Sequence, residues 1–362
     1  MPVELLTSNF LPRVTSRLTM LALLGSLLLS AACTKETPED SAVTPPPTPD
    51  AALMGYASLN GSTVGGAAGN TVTATTLAEL TSYAQSSEPL VIKIDRKISA
   101  GTAGASVAVK SNKTLLGVGS AGFLEGVGLS INGQKNVIVR NLKFTMSTIT
   151  PTGIDPDSNL PTIRPNAGDC LTIQGASTNV WVDHCEFFNI DPAVQTNKDL
   201  YDGLLDIRDQ SAFITVSWSY FHDHHKASLV GSSDTDNFDR KVTFHHNHYF
   251  NIGSRTPLFR FGSAHLFNNY YNRVIGQAID SRSGACLRIE KNYFEGTKNP
   301  VISTDGTGTW ELIDNNYTNS TGTRPTASTC TPTLPYTYTS FLTPATVDVK
   351  NVVLQGAGVG KL

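Results

Sequence analysis

Short runs of alternating apolar and polar residues fill most of the chain after Pro89. Gly, Asn and Asp turns separate them, as in the runs LVIKI, NVIVRNLKF, NVWVDHCEFF, ITVSWSYF, VTFHHNHYF and LRIEKNYF. Such alternation predicts short β-strands with one buried face. Upstream, the segment TTLAELTSYAQ places Leu77, Leu80, Tyr83 and Ala84 at helical spacing. This spacing predicts one short N-terminal helix.

A repeated asparagine followed by an aromatic residue relates several of these strands. The repeat comprises Asn247, Asn269, Asn292 and Asn316, at spacings of 22, 23 and 24 residues. Asparagine is common in turns, but a period of this length with strands in every unit is typical of a solenoid with stacked rungs. We therefore predict an all-β fold, a right-handed parallel β-helix whose N-terminal end is covered by the short helix. The asparagines should stack as a ladder, with Cys185 and Ser219 at the same position in earlier rungs.

Two irregular insertions interrupt the repeat at residues 147–166 and 191–201. They are predicted to be loops beside a groove, because binding sites usually lie on loops that a rigid scaffold positions.

The overall charge argues against a nucleic-acid partner. The 362 residues carry a net charge of −3, and only 16% of them are charged, compared with roughly 25% in typical globular domains. A strongly basic surface is the usual mark of a nucleic-acid-binding domain. We therefore expect no nucleic-acid partner, although a local basic groove is compatible with this composition.

The N-terminal residues are typical of an export signal. Arg13 and Arg17 precede the apolar run 18–29, and Ser30-Ala31-Ala32 precede Cys33. The apolar run is too short to span a bilayer comfortably. We predict that residues 1–33 are a signal peptide and that Cys33 is lipidated as in bacterial lipoproteins. Simple cleavage and release is the alternative.

Three segments follow from this pattern. Residues 34–51 are rich in Pro and Thr and predict an extended tether, and residues 52–362 form the β-helix domain. The protein should be exported, either secreted or lipid-anchored at the outer membrane or cell surface, with no other membrane contact. Export permits disulfides among Cys170, Cys185, Cys286 and Cys330, for which three pairings are possible.

Charged residues of complementary kinds are concentrated between Asp202 and Arg260. Asp202 and Asp206 are four residues apart, so both fall on one side of the backbone whether it is extended or helical. Lys226 ends a strand-like run, and Arg255 and Arg260 flank a proline. Such residues on successive passes of the chain could bind a hard cation and a polyanionic substrate together. Turn formation around Gly203 is the alternative explanation for the two aspartates.

The motifs DGLLDI, SWSYFHDHHKASLVG, VTFHHN and RTPLFR, with NVWVDH upstream, resemble the calcium-dependent pectate lyase family. The resemblance covers roughly residues 52–317. It implies that Asp169, Asp202 and Asp206 bind Ca²⁺, which favours oxygen ligands. Some relatives have a further aspartate at the position of Ala167, so the calcium site here should be weaker and completed by water and a substrate carboxylate.

The resemblance also implies the roles of the cationic residues. Arg255 is the expected catalytic base, and Lys226 and Arg260 bind the substrate carboxylate and stabilise the transition state. Arg208 and Arg282 match positions that contact the polymer, although either could be a solvated surface arginine. An arginine base is unusual because a guanidinium normally has a pKa above about 12. Neighbouring cations would lower it, which predicts an alkaline activity optimum.

These observations predict a monomeric pectate lyase that cleaves polygalacturonate by calcium-assisted β-elimination. One alternative is a pectin lyase acting on methylated polymer without calcium. Another is a non-catalytic β-helix that binds carbohydrate or partners. The eight histidines, all between His184 and His265, raise the further possibility of zinc. No HExxH or CxxC motif supports zinc, and in the resembling family such histidines are structural.

Overall fold

A computed structural model describes residues 52–362, so the predicted signal peptide and tether lie outside the described residues. The predicted N-terminal helix is present at Leu77–Ala84. Thr76 accepts a hydrogen bond from the amide of Glu79, and the Glu79 carboxylate accepts from the Thr76 amide, which forms a capping box. Leu80 and Ala84 are buried in the main core. The helix therefore covers apolar interior, as the sequence predicts.

Three parallel sheets form the walls of the solenoid. The ten strands of sheet A are Asn70–Thr73, Leu90–Ile94, Lys113–Gly117, Lys135–Arg140, Thr178–Asp183, Ala212–Ser217, Lys241–His245, Ser263–Phe267, Cys286–Glu290 and Thr309–Ile313. The nine strands of sheet B are Lys97–Ser99, Phe123–Glu125, Lys143–Thr145, Glu186–Phe188, Tyr220–Lys226, His248–Ser254, Tyr270–Asn272, Tyr293–Glu295 and Asn316–Thr318. The eight strands of sheet C are Ala105–Ala108, Val127–Asn132, Leu171–Gln174, Leu205–Ile207, Leu229–Val230, Leu258–Arg260, Ile279–Arg282 and Val301–Ile302.

The chain visits sheets A, B and C in turn, and each strand pairs in parallel with its counterpart on the next coil. This topology confirms the predicted parallel β-helix. Its interior contains a column of aromatic rings whose neighbouring centroids lie 4.5–5.2 Å apart, formed by Phe144, Phe187, Phe221, Tyr249, Tyr271, Phe294 and Tyr317. Equivalent residues on successive coils stack because their strands are in register.

The predicted asparagine ladder exists, with one correction. Asn247 donates to the side-chain oxygen of Asn269, and Asn269 donates to that of Asn292, each at 3.0 Å. The next member is Asn315, which accepts from Asn292 at 3.1 Å, and not Asn316. Asn316 begins a sheet B strand, so its side chain leaves the ladder line. Ser219 accepts from the amide of Cys185, as the predicted ladder positions require.

The first insertion contains a small antiparallel hairpin, Gly153–Ile154 paired with Pro161–Thr162. Short 3₁₀ helices occur at Tyr56–Ser58, Pro165–Gly168, Thr339–Phe341 and Thr346–Asp348. A second α-helix, Val349–Gly356, was not predicted, although Val349, Val352 and Val353 bury one helical face. Within residues 52–362, no helix has both the length and the apolar character needed to cross a membrane.

The structure contains one disulfide among the four cysteines whose pairing the sequence left undecided. Cys286 is bonded to Cys330, which joins sheet A to the segment that follows the last coil. Cys170 and Cys185 are buried free thiols.

Candidate active site on sheet C

The three predicted metal ligands meet at one edge of sheet C. Asp169 lies two residues before one strand, Asp206 lies within the strand on the next coil, and Asp202 precedes that strand by three residues. One carboxylate oxygen from each of the three lies within 4.8 Å of the others. Asp169 and Asp206 are fully buried, whereas the side chain of Asp202 is 37% exposed. The cluster is therefore open to solvent on the Asp202 side.

Backbone contacts fix the orientation of these carboxylates. Asp169 accepts the amide of Gly203 at 2.7 Å, and Asp206 accepts the amide of Leu229 at 2.9 Å. A Cβ on Gly203 would lie 2.1 Å from a carboxylate oxygen of Asp206. Only glycine therefore fits between the two aspartates of DGLLDI without displacing the second one.

The three carboxylates of the cluster repel one another in a largely buried setting. Burial, and then the charge of Asp202, raise the pKa of Asp206 to about 7. Burial, followed by the charges of Asp206 and Asp202, raises the pKa of Asp169 well above its usual range. The second carboxylate oxygen of Asp206 is buried and has no hydrogen-bond partner among the described residues. A divalent cation would satisfy that oxygen and offset the repulsion.

Lys226 ends a sheet B strand beside this cluster. Its ammonium lies 3.1 Å from a carboxylate oxygen of Asp202 and 3.3 Å from one of Asp199. Asp199 belongs to the second insertion and was not identified from the sequence, because an irregular loop carries no periodicity from which to place it. The structure therefore brings Lys226 to the acidic cluster, and the second insertion supplies an additional partner.

Arg255 occupies the turn between sheet B and sheet C. Its backbone is left-handed, with φ of 64°, and its carbonyl accepts the amide of Ser228 at 2.7 Å. The guanidinium is close enough to Asp206 to favour the ionised form of that carboxyl. The Thr256-Pro257 peptide lies between the two strands, so this proline falls outside regular strand pairing, as predicted.

The other three predicted arginines lie at the ends of sheet C strands on different coils. Arg260 and Arg282 are register partners on adjacent strands, and Arg208 follows the strand two coils before Arg260. Gly231 occupies the intervening coil, where a Cβ would lie 2.9 Å from the Cβ of Arg260. The three arginines therefore form a cationic row on the face that carries the acidic cluster.

Each arginine in this row has an acidic neighbour. The shortest N–O distances are 3.7 Å from Arg208 to Asp169, 3.2 Å from Arg260 to Asp234, and 2.8 Å from Arg282 to Asp280. Asp234 is 87% exposed, so its pair with Arg260 is solvent-screened and open to exchange. Arg208 directly links the cationic row to the acidic cluster.

The histidines near the site support loops and stack on rings. His224 donates to the carbonyl of Asp202 at 2.6 Å, and His225 contacts the carbonyl of Gln195 in the second insertion at 2.5 Å. Burial lowers the pKa of His224 to about 4, so its ring is neutral at pH 7. Others stack in the rungs, including His248 on Tyr220 at 4.7 Å. Within residues 52–362 the group with metal-binding geometry contains carboxylates and no histidine.

Both insertions border a cavity of about 300 Å³ next to the acidic cluster. Asp202 and Lys226 line it together with Asp199 of the second insertion. The first insertion contributes apolar residues, Asp155, Thr162 and Arg164, and Arg164 was not singled out from the sequence. The prediction that the insertions lie beside a binding groove thus agrees with this cavity.

A parallel β-helix that brings an acidic cluster and a lysine next to a row of arginines is a class of protein suited to acidic polymers. The comparisons with known proteins identify the class more closely. The pectate lyase family model matches residues 21–362. A pectate trisaccharide-lyase of Bacillus licheniformis is 41% identical over 325 residues, covering 87% of this chain and 89% of its own. The chain therefore belongs to the pectate lyase family and is a polysaccharide lyase.

Solved structures agree with this assignment. A pectate lyase from a Bacillus species, solved in complex with trigalacturonate, has 32% identity and a TM-score of 0.74 over 85% of this chain and 99% of its own. Pectate lyase C of Erwinia chrysanthemi, solved at pH 9.5 with 30 mM Ca²⁺, has 27% identity and a TM-score of 0.69 over 86% and 97%. These similarities confirm the family and the fold expected from the sequence motifs.

Proposed function

We propose that this protein cleaves α-1,4-linked polygalacturonate by Ca²⁺-assisted β-elimination and releases 4,5-unsaturated oligogalacturonides. The observation that carries this proposal is the convergence of Asp169, Asp202 and Asp206 within 4.8 Å, beside Lys226 and the arginine row. Relatives solved with trigalacturonate and with pentagalacturonic acid support an acidic oligosaccharide as substrate.

The residues present fit calcium. All three candidate ligands are carboxylates, Asp206 has a buried oxygen without a hydrogen-bond partner in the described part of the chain, and Asp202 leaves one side open for water or substrate. Calcium accepts six to eight oxygen ligands in flexible geometry, so a three-carboxylate protein site leaves positions for other oxygens. When bound, the ion would neutralise a substrate carboxylate and stabilise negative charge that develops next to it.

Side chains of the protein would carry out proton removal and substrate binding. Arg255 lies in the turn between sheets B and C, near Asp206, and in its deprotonated, neutral form it would accept the C5 proton. Lys226 and Arg260 would bind the uronate carboxylate and hold it as charge moves onto it. The electron pair of the broken C5–H bond forms the C4–C5 double bond, and the O4 leaving group departs with the next sugar. The leaving oxygen would take a proton from water, and Arg255 would return its proton to solvent.

The arginine row would position the polymer. Arg208, Arg260 and Arg282 lie on coils of one sheet, where neighbouring strands are about 4.8 Å apart. Guanidinium groups bind carboxylates through paired hydrogen bonds. A polymer with a carboxylate on every sugar can therefore contact several of these arginines at once.

Product chemistry and substrate choice test this function. The protein without residues 1–33 should release unsaturated product from polygalacturonate, seen as rising ultraviolet absorbance, and should act poorly on highly methylated pectin. New reducing ends without ultraviolet absorbance would indicate hydrolysis and contradict elimination. A clear preference for methylated pectin would instead identify a pectin lyase, and no product from either polymer would favour a binding β-helix.

Ala167→Asp should strengthen calcium binding about tenfold, because the number of charged ligands tunes calcium affinity. Ala167 lines the same cavity as Asp202 and is exposed. Its φ of 54° is left-handed, a conformation that aspartate tolerates better than alanine. Isothermal titration with Ca²⁺ measures the change. Ala167→Asn is the matched control, since it adds an oxygen without charge. Equal affinities for Ala, Asn and Asp at this position would contradict a ligand role.

The raised carboxyl pKa values predict how stability depends on pH. Carboxyls whose pKa is higher in the folded state contribute stability below their unfolded pKa, about 3.9, and lose it as pH rises through the folded value. For Asp206 that value is about 7. Calcium-free protein should therefore lose stability from this cluster between about pH 4 and 8, and calcium should stabilise more at pH 8.5 than at pH 5. Thermal unfolding with calcium and with chelator measures this, and equal calcium effects at both pH values would contradict it.

We also propose that the lyase is exported and acts as a monomer. The Cys286–Cys330 disulfide supports export, because such bonds persist in oxidising compartments. The last sheet A strand is covered, since Ser328 and Thr329 accept the amides of Leu312 and Trp310. A covered edge discourages pairing with another chain. The signal peptide at 1–33, the lipidated Cys33 and the tether at 34–51 remain part of this proposal.

A further inference from the structure

Arg164 is a cation at the substrate cavity to which the family motifs assign no role. It lines the cavity next to the acidic cluster, together with Asp202 and Lys226. It belongs to the first insertion, immediately before the 3₁₀ helix Pro165–Gly168 that leads to Asp169. The loop that supplies a metal ligand thus also places an arginine at the cavity.

The exposed side chain of Arg164 lies against Gly153 and forms no ion pair within residues 52–362. A Cβ on Gly153, in the hairpin of the same insertion, would lie 2.9 Å from Nε and 3.2 Å from Cζ of Arg164. The absence of a side chain at Gly153 therefore leaves the space in which the guanidinium lies. Among residues 52–362, no carboxylate forms a salt bridge with Arg164, and no group forms a hydrogen bond with its guanidinium.

The acidic residues that line the cavity contact groups other than Arg164. Asp155 accepts the amides of Asp157 and Ser158 and the hydroxyl of Ser158 through one oxygen. Asp199 and Asp202 both contact the ammonium of Lys226. Arg164 thus presents a charged, bidentate donor to the cavity, which suits a carboxylate from outside the protein.

We propose that Arg164 binds the carboxylate of a galacturonate residue in this cavity, next to the residue held by Lys226, and so favours unmethylated sugar there. This inference rests on the proposed function, because it requires a uronate polymer in the groove. Arg164 is a binding residue in this proposal and takes no part in proton transfer. Its contact exists before and during the reaction, so its loss weakens substrate binding more than it slows turnover.

The test is a comparison of steady-state kinetics on polygalacturonate for the wild type, Arg164→Gln and Arg164→Lys. Arg164→Gln should raise KM about threefold to fivefold, the upper part of the range for an exposed ion pair, while kcat at saturation changes less than about twofold. Arg164→Lys should recover part of the loss, since it keeps the charge without the fork. Arg324→Gln is the matched control, because Arg324 is exposed, forms no salt bridge with a described residue and lies outside the cavity.

A second comparison uses partly methylated pectin. Methylation removes carboxylate charge, so raising it should increase KM of the wild type more steeply than KM of Arg164→Gln. Gly153→Ala provides an independent test, because its Cβ would displace the guanidinium without removing it. It should raise KM in the wild type and have little effect in the Arg164→Gln background, a non-additivity expected of contacting residues.

The outcomes separate this inference from the proposed function. If the wild-type enzyme produces no unsaturated product from polygalacturonate, the proposed function is contradicted. The substrate-binding role of Arg164 is then overturned with it. Active wild type with an unchanged KM for Arg164→Gln overturns the role of Arg164 alone. A loss of kcat without a change in KM, or an equal KM change for Arg324→Gln, also overturns it. Thermal unfolding of Arg164→Gln should match wild type, since this side chain forms no ion pair within the described chain.

Discussion

Arg255→Ala is expected to lower kcat on polygalacturonate about a thousandfold, within the ~10²- to 10⁴-fold contribution of a general base. Arg255 lies in the turn between sheets B and C, and its charge favours the ionised form of the Asp206 carboxyl. No other side chain in the proposed mechanism removes the C5 proton, so both kcat and kcat/KM should fall. Initial rates of unsaturated-product release at saturating substrate and calcium measure the effect.

The fold should survive this substitution. The Arg255 backbone is already left-handed and its carbonyl keeps the Ser228 hydrogen bond, so alanine removes only the side chain. Arg273→Ala is a matched control, because Arg273 has a similar φ of 58° and belongs to the next coil. It should retain wild-type turnover. Residual activity of Arg255→Ala above a tenth of wild type, with normal unfolding temperature, would remove Arg255 from the role of base.

Asp206→Asn should abolish most calcium-dependent activity and at the same time stabilise the calcium-free protein at alkaline pH. Lewis-acid stabilisation is worth several kcal/mol, so kcat/KM at fixed calcium should fall about a thousandfold. The asparagine oxygen can still accept the Leu229 amide. Removing a buried charge beside Asp169 and Asp202 removes repulsion, which explains the expected rise in stability.

Calcium titration calorimetry and thermal unfolding at pH 8.5 measure both effects on the same sample. Asp157→Asn is the charge control, because Asp157 is exposed in the first insertion and is not part of the acidic cluster. It should leave calcium affinity and stability close to wild type. If Asp206→Asn binds calcium as tightly as wild type, Asp206 is not a ligand. Lower calcium-free stability would show that its charge is compensated in the native protein.

The repetitive part of the fold could be predicted from the sequence because each coil repeats the same strand and turn pattern. The period alone could not choose between the adjacent Asn315 and Asn316, since one residue along a strand reverses the side-chain direction. The structure selects Asn315 because its side chain accepts from Asn292. The C-terminal helix was missed, although Val349, Val352, Val353 and Gly356 carry a helical spacing that could have revealed it.

The site residues that belong to contiguous motifs could be predicted from the sequence. The site residues that lie in the two irregular insertions were missed. The motif DGLLDI contains Asp202, Asp206 and, between them, a glycine at which a side chain would clash with Asp206. These residues lie within six consecutive positions, so the sequence alone shows that they belong together. Asp199 and Arg164 come from the two irregular insertions, whose sequences contain no period that would place them at the cavity. The Cys286–Cys330 pairing depends on the path of the chain after the last coil, which strand patterns do not specify.

The most direct measurement is the calcium dependence of product release. The protein without residues 1–33 would be incubated with polygalacturonate across a series of free Ca²⁺ concentrations, including excess chelator, while ultraviolet absorbance is followed. We expect absorbance to rise only when calcium is present and to saturate with calcium. Absorbance that rises equally in chelator would contradict calcium-assisted elimination at Asp169, Asp202 and Asp206.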